Sequence, residues 1–101
     1  MDTTPVGRRP SEVLRSRRAE VLDLISRRGG ENPRIFGSVA RGTDTPDSDI
    51  DIVVRVSPER AWEFVSLPRE LSEMLGVPVE VVSERGLKEK HSRLLSEALP
   101  L

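Results

Sequence analysis

Three carboxylates fall within the five residues Asp47-Ser48-Asp49-Ile50-Asp51, and the chain turns hydrophobic immediately afterwards at Ile52-Val53-Val54. Asp49 and Asp51 are separated by one residue. In an extended strand they project from one face side by side, and their repulsion is costly unless a cation offsets it. Hard divalent cations such as magnesium take oxygen ligands and are shared between one or two carboxylates and substrate phosphates. The pair reads as half a metal site whose remaining ligands come from a nucleotide. Upstream, Gly37-Ser38 stands at a strand-to-turn junction. Glycine lets a phosphate approach the backbone, while the serine hydroxyl and the free amides of a helical turn can donate to anionic oxygen. Glu80 lies alone among valines, where a carboxylate needs solvent or a partner. If its strand pairs beside the one carrying Asp49 and Asp51, three carboxylates meet. Two can bind metal and the third can take a proton from an attacking hydroxyl, the arrangement that nucleotidyl transfer needs.

The elements that must position these residues are legible from periodicity and punctuation. Residues 1–10 (MDTTPVGRRP) read as a frayed tail, and 11–101 as one domain. Ser11 can cap a helix from Glu12 to about Arg28, with Leu14, Val21, Leu22 and Ile25 on one stripe and Gly29-Gly30 ending it. Arg34-Ile35-Phe36 is a short strand running into Gly37-Ser38, and Val39 to Gly42 can form one helical turn. Thr43 to Ser48 is turn-rich. Asp49 to Val56 reads as a strand with Asp49, Asp51 and Val53 on one face and Ile50, Ile52 and Val54 on the other. Ala61 to Leu75 has helical spacing, interrupted by Pro68, so a kink or two short helices are expected. Val77 to Val82 is a third strand, and a last helix runs from about Leu87 to Leu99. The resulting expectation is an α/β domain with a small mixed β-sheet, helices on one face and an open acidic cleft on the other.

Composition narrows the possibilities. One hundred and one residues allow one small domain with one core. Sixteen Lys and Arg against 17 Asp and Glu leave the chain near neutral, which argues against a nonspecific nucleic-acid binder. Without cysteine there are no disulfides or thiolate metal sites, and a single histidine, His91, removes most zinc sites. No apolar run approaches the roughly 20 residues of a membrane span. A cytoplasmic location is the expectation, with no membrane partner and no direct nucleic-acid contact.

Each candidate residue has a plainer reading. Asp49 and Asp51 can be a solvated strand end, and Glu80 an edge-strand charge that blocks aggregation. Arg41 can meet a phosphate or pair with Asp47. The arginines of the first helix read as a solvated face rather than a partner or RNA contact. His91 falls on a polar helix face and has no assigned role. Trp62 and Phe64 read as core or partner-interface residues rather than a base-stacking platform.

Taken together, Gly37-Ser38, ten residues, then Asp49-Ile50-Asp51 resembles the GS-x10-DxD signature of the DNA polymerase β-type nucleotidyltransferase superfamily. Arg41-Gly42, the run Pro46 to Asp51, PVEVV (78–82) and EALPL (97–101) resemble its shortest branch, the minimal nucleotidyltransferases. The resemblance covers nearly the whole chain after the N-terminal tail. It implies a nucleotidyltransferase, polymerase β-like fold that binds ATP with two magnesium ions and transfers AMP to a hydroxyl. Gly37, Ser38 and Arg41 would hold the triphosphate. Asp49 and Asp51 would ligate metal, and Glu80 would supply the third, catalytic and metal-site carboxylate. The family more often has aspartate there, and glutamate is one methylene longer. In the minimal branch the acceptor is typically a partner protein. The resemblance thus implies an antitoxin that places AMP on a tyrosine of a HEPN-domain ribonuclease toxin, or alternatively an inactive antitoxin that neutralises its toxin by binding alone. A small-molecule nucleotidyltransferase would need an extra acceptor domain.

Overall fold

In the computed structural model, residues 8–101 are described, except the side chains of residues 88–93. Most of the expected tail and the side chain of His91 therefore lie outside the described residues. The elements are α1 (Pro10–Ser16), α2 (Arg18–Arg27), β1 (Gly30–Phe36), α3 (Gly37–Arg41) and β2 (Ile50–Val56). A 3₁₀ turn (Pro58–Arg60), α4 (Ala61–Phe64), α5 (Leu67–Leu75), β3 (Val79–Ser83), α6 (Glu84–Glu97) and β4 (Leu99–Pro100) follow. The strands form one mixed sheet in the order β3-β2-β1-β4. β1 runs antiparallel to β2 and β4, while β2 and β3 are parallel.

The parallel pair requires a crossover, and residues 57–78 supply it. Pro68 lies in the first turn of α5, where its missing N–H costs nothing, so the expected interruption becomes a helix start. Gly76, in the left-handed region at φ 72°, stops the helix and turns the chain toward β3. Leu67, Leu71 and Leu75 recur every four residues and are buried on the sheet. Facing them are Ile50, Ile52 and Val54 of β2, all fully buried, with Val79 and Val81 of β3 and Val21, Leu24 and Ile25 of α2. Each such burial contributes on the order of 1.5–3 kcal/mol. Arg28 of the α2 cap ties this layer together by donating to Glu70 of α5.

The opposite face carries a row across three strands, Phe36–Asp51–Glu80, followed by Arg34–Val53–Val82. α6 extends the expected arrangement by roofing part of this face: Leu87, Leu94 and Leu95 pack with Phe36, Val53 and Val82. Ser83 caps α6 by accepting the N–H of Gly86, and Arg34 pairs with Glu84, fixing the roof to β1.

Three expectations need correction. The helix expected over 12–28 is two helices, broken at Arg17, whose backbone leaves helical geometry while its guanidinium donates to the carbonyl of Met74. On the expected apolar stripe, Leu22 is only half-buried, and Leu24 is buried instead. The last helix ends at Glu97 rather than near Leu99: Ala98 is extended, and Leu99–Pro100 pairs with β1 as an edge strand.

Asp44 was not singled out by the sequence. It is the one buried charged residue among those described, 3% exposed, and its Oδ2 accepts the N–H of Ser11 at 2.8 Å, pinning the loop before β2 to the first turn of α1. Burial pushes its pKa up, but hydrogen bonds from Ser11, its own N–H and the nearby Arg9 charge outweigh this, and the net shift is down. A lowered folded pKa stabilises above the unfolded carboxylate value and is lost as pH falls through the folded one. Asp44→Ala is expected to cost about 1–3 kcal/mol, measured by urea unfolding. Asp44→Asn, which keeps an acceptor oxygen, should remove part of the acid-side loss of stability while costing less at neutral pH.

Candidate active site

β1 ends at Phe36 in extended geometry, and the chain enters α3 at once. Gly37 makes this junction possible. Its φ is +72°, and a Cβ at this position would lie 2.6 Å from Asp51 Oδ2. The residue thus answers two demands, a left-handed backbone and a carboxylate packed against it. Ser38 follows in the first turn, its carbonyl accepting the N–H of Thr43 at 3.0 Å. Gly42, at φ 74°, ends α3.

The return to β2 is a closed loop. Ser48 N–H donates to the Thr45 carbonyl at 2.9 Å, and Thr45 N–H donates to Ser48 Oγ at the same distance. Together with Asp44 this delivers Asp49 to the head of β2, where Ile50 N–H donates to the Pro78 carbonyl at 3.0 Å. That bond sets the parallel register, which places Asp51 directly beside Glu80. The pairing on which the sequence argument depended is therefore present, and Gly37, Ser38, Arg41, Asp49, Asp51 and Glu80 converge at one end of the sheet.

Their electrostatics are those of an under-compensated anionic pocket. Half-buried Asp51 has its pKa raised, first by burial, then by the charges of Glu80 and Asp49, with Arg41 opposing. Arg41 is exposed and makes no ion pair among the described residues, with Asp47 or otherwise, so its charge is directed to this pocket. Among the described residues, no group of three or more His, Cys, Asp and Glu is arranged to hold a metal unaided.

Residues of this kind at this spacing occur in known proteins. A model of the nucleotidyltransferase domain matches residues 18–99. The chain belongs to the nucleotidyltransferase domain family. It is 32% identical over 82 residues to a Methanocaldococcus jannaschii protein assigned as a protein adenylyltransferase, covering 79% of this chain and 88% of that one. A solved structure assigned as a minimal nucleotidyltransferase superposes with a TM-score of 0.78 at 44% identity, over 90% of this chain and 95% of the other. A toxin–antitoxin crystal structure with AMP-PNP gives a TM-score of 0.53 at 27% identity, over 66% of this chain and 56% of that chain. The mixed α/β sheet is therefore that of a minimal nucleotidyltransferase, and the chain is a nucleotidyltransferase.

Of the two aromatic residues read as core or partner interface, Trp62 is 75% exposed and Phe64 packs partly against the core. A groove beside Glu80, roofed by α6, depends on the packing of a helix against a distant strand and has no local sequence signal.

A raised folded pKa at Asp51 means that stability falls as pH rises from the unfolded carboxylate value through the folded one. Asp51→Asn should therefore raise the metal-free melting temperature at pH 7, and the gain should vanish in acid. Gly37→Ala should do the reverse, costing about 1–3 kcal/mol through strain and the collision with Asp51. Calorimetry of both variants against pH checks the pair.

Proposed function

We propose that the chain is a magnesium-dependent protein adenylyltransferase that transfers AMP from ATP to a tyrosine hydroxyl of a HEPN-domain ribonuclease toxin, and acts as that toxin's antitoxin. The observation that carries this reading is the row placing Asp51 beside Glu80, with Asp49 adjacent and Gly37 packed on the Asp51 carboxylate. The relative assigned as a protein adenylyltransferase supports the reaction, and the toxin–antitoxin neighbour with a nucleotide analogue supports the setting.

The donor set suits magnesium. Every candidate ligand is a carboxylate oxygen, and the Asp51 carboxylate, whose pKa is raised first by burial and then by the charges of Glu80 and Asp49, would be relieved by a cation. Asp49 and Asp51 would hold two ions, with Glu80 at the margin, and substrate phosphate oxygens would complete the ligand shells. When bound, the ions neutralise charge at the α-phosphate and acidify the incoming hydroxyl. The remaining work belongs to the protein. Gly37 gives a triphosphate close access to backbone, Ser38 Oγ donates to it, and Arg41 balances its charge. Glu80, exposed on the open side of Asp51, accepts the proton of the attacking hydroxyl. The hydroxyl oxygen bonds to the α-phosphorus, the α–β bridge breaks, and pyrophosphate leaves.

The test is to incubate the purified chain with the product of the adjacent reading frame, magnesium and ATP, and weigh both proteins by intact mass spectrometry. The partner should gain whole AMP units, and Asp49→Asn should reduce the yield by at least ~10³-fold. A tight, silencing complex with no added mass would instead identify an antitoxin that works by occlusion.

A further inference from the structure

The crossover between β2 and β3 carries apolar side chains on two sides. Phe64, Leu67, Leu71 and Leu75 pack into the core beneath the sheet. Trp62 and Val65 face solvent, at 75% and 78% exposed, the two most exposed large apolar residues among those described. Val65 and Ser66 keep right-handed helical backbone between α4 and α5, so the stretch runs on as one slightly broken helical rod. Glu59, Trp62, Val65 and Arg69, all exposed, fall three, three and four positions apart and form one ridge along it, with exposed Pro58 and Ala61 alongside. Every other charge between 57 and 70 is answered within the chain: Arg60 pairs with Glu63, and Arg28 with Glu70. Glu73, a turn beyond Arg69, lines a cleft with Arg8 and Arg17 instead. Glu59 and Arg69 make no ion pair among the described residues, and the Arg69 charge bears only on Glu70, which Arg28 already holds.

We propose that this ridge is a self-association surface, and that its occupant is a second copy of the chain laid antiparallel across it about a twofold axis. The ridge is self-complementary. Trp62 and Val65 form its middle. Glu59 lies three residues before Trp62 and Arg69 four after Val65, so opposite charges stand about 5–6 Å beyond either end of the apolar pair. Antiparallel pairing sets Trp62 of one copy over Val65 of the other and Glu59 of one against Arg69 of the other, and the twofold axis makes each contact twice. A partner surface of uniform charge fits less well: an acidic one meets Glu59 and a basic one meets Arg69. An exposed tryptophan with apolar neighbours and charges at its rim has the make-up of an interface centre. The location agrees. The ridge belongs to the layer beneath the sheet, and α4 follows the end of β2 far from Asp51, so this contact leaves the carboxylate row of each copy uncovered on the other face. The inference stands whether or not those carboxylates are catalytic.

Trp62 is the only tryptophan, so its fluorescence reads the contact directly. As the intact chain is concentrated, the emission should move to shorter wavelength while sedimentation equilibrium shows monomer passing to dimer. Trp62→Ala should weaken dimerisation at least tenfold by sedimentation and leave the urea midpoint of the dilute chain unchanged. Charge exchange tests the orientation. Glu59→Lys and Arg69→Glu should each dimerise roughly fivefold more weakly at low salt, because like charges then face each other at both ends. Mixed in equal amounts, the two variants should recover the original affinity as heterodimers, in which both ends again pair opposite charges. A chain that stays monomeric with water-like emission at every concentration would overturn the proposal. So would a dimer indifferent to Trp62→Ala, or charge variants that mixing does not rescue. A monomeric chain that binds the product of the adjacent reading frame, and loses that binding on Trp62→Ala, would also overturn it and assign the ridge to that partner.

Discussion

Three acidic side chains brought to one end of a sheet repel one another, and the remainder of the fold holds them there. The repulsion is not relieved inside the protein: Arg41 offsets part of it, and burial makes the rest more costly. What opposes it is the parallel register of β2 and β3, which in turn depends on the crossover through α5. The leucines at 67, 71 and 75 bury themselves on Ile50, Ile52 and Val54, the residues that alternate with the aspartates. The hydrophobic energy of one face of β2 thus holds the charges of the other.

This division of faces explains how a short chain affords a site at all. A domain of this size buries one main core, and here that core lies wholly beneath the sheet. The upper face is left for chemistry, with α6 covering only the part away from Asp49. The covering helix is secured by polar contacts, the Ser83 cap and the Arg34–Glu84 pair, as well as by Leu87 on Val53 and Phe36. The approach to the site is fixed in the same economical way, through the carboxylate of Asp44 and the turn closed by Thr45 and Ser48.

Much of this was legible in the sequence because it rests on local rules. Alternation assigned Asp51 and Ile52 to opposite faces, the Gly-Ser dipeptide marked a strand end, and Pro68 marked a break. The pairing of Glu80 with Asp51 could be stated only as a condition, because the register of the two strands depends on the crossover through residues 57–78 between them. The break at Arg17 and the edge strand at Leu99–Pro100 were missed because tertiary contacts, with Met74 and with β1, override local helical preference. Asp44 and the groove under α6 were invisible for the same reason. Each exists only once elements far apart in the chain have docked.

The junction between β3 and α6 has no loop: Ser83 ends the strand and Glu84 begins the helix. A connection without slack is a mechanical coupling. Any tilt of α6 must be absorbed within the Ser83 cap or passed to a strand whose Glu80 lies only four residues upstream. The width of the groove and the reach of that carboxylate are therefore one degree of freedom, so whatever wedges beneath the helix also aims the glutamate.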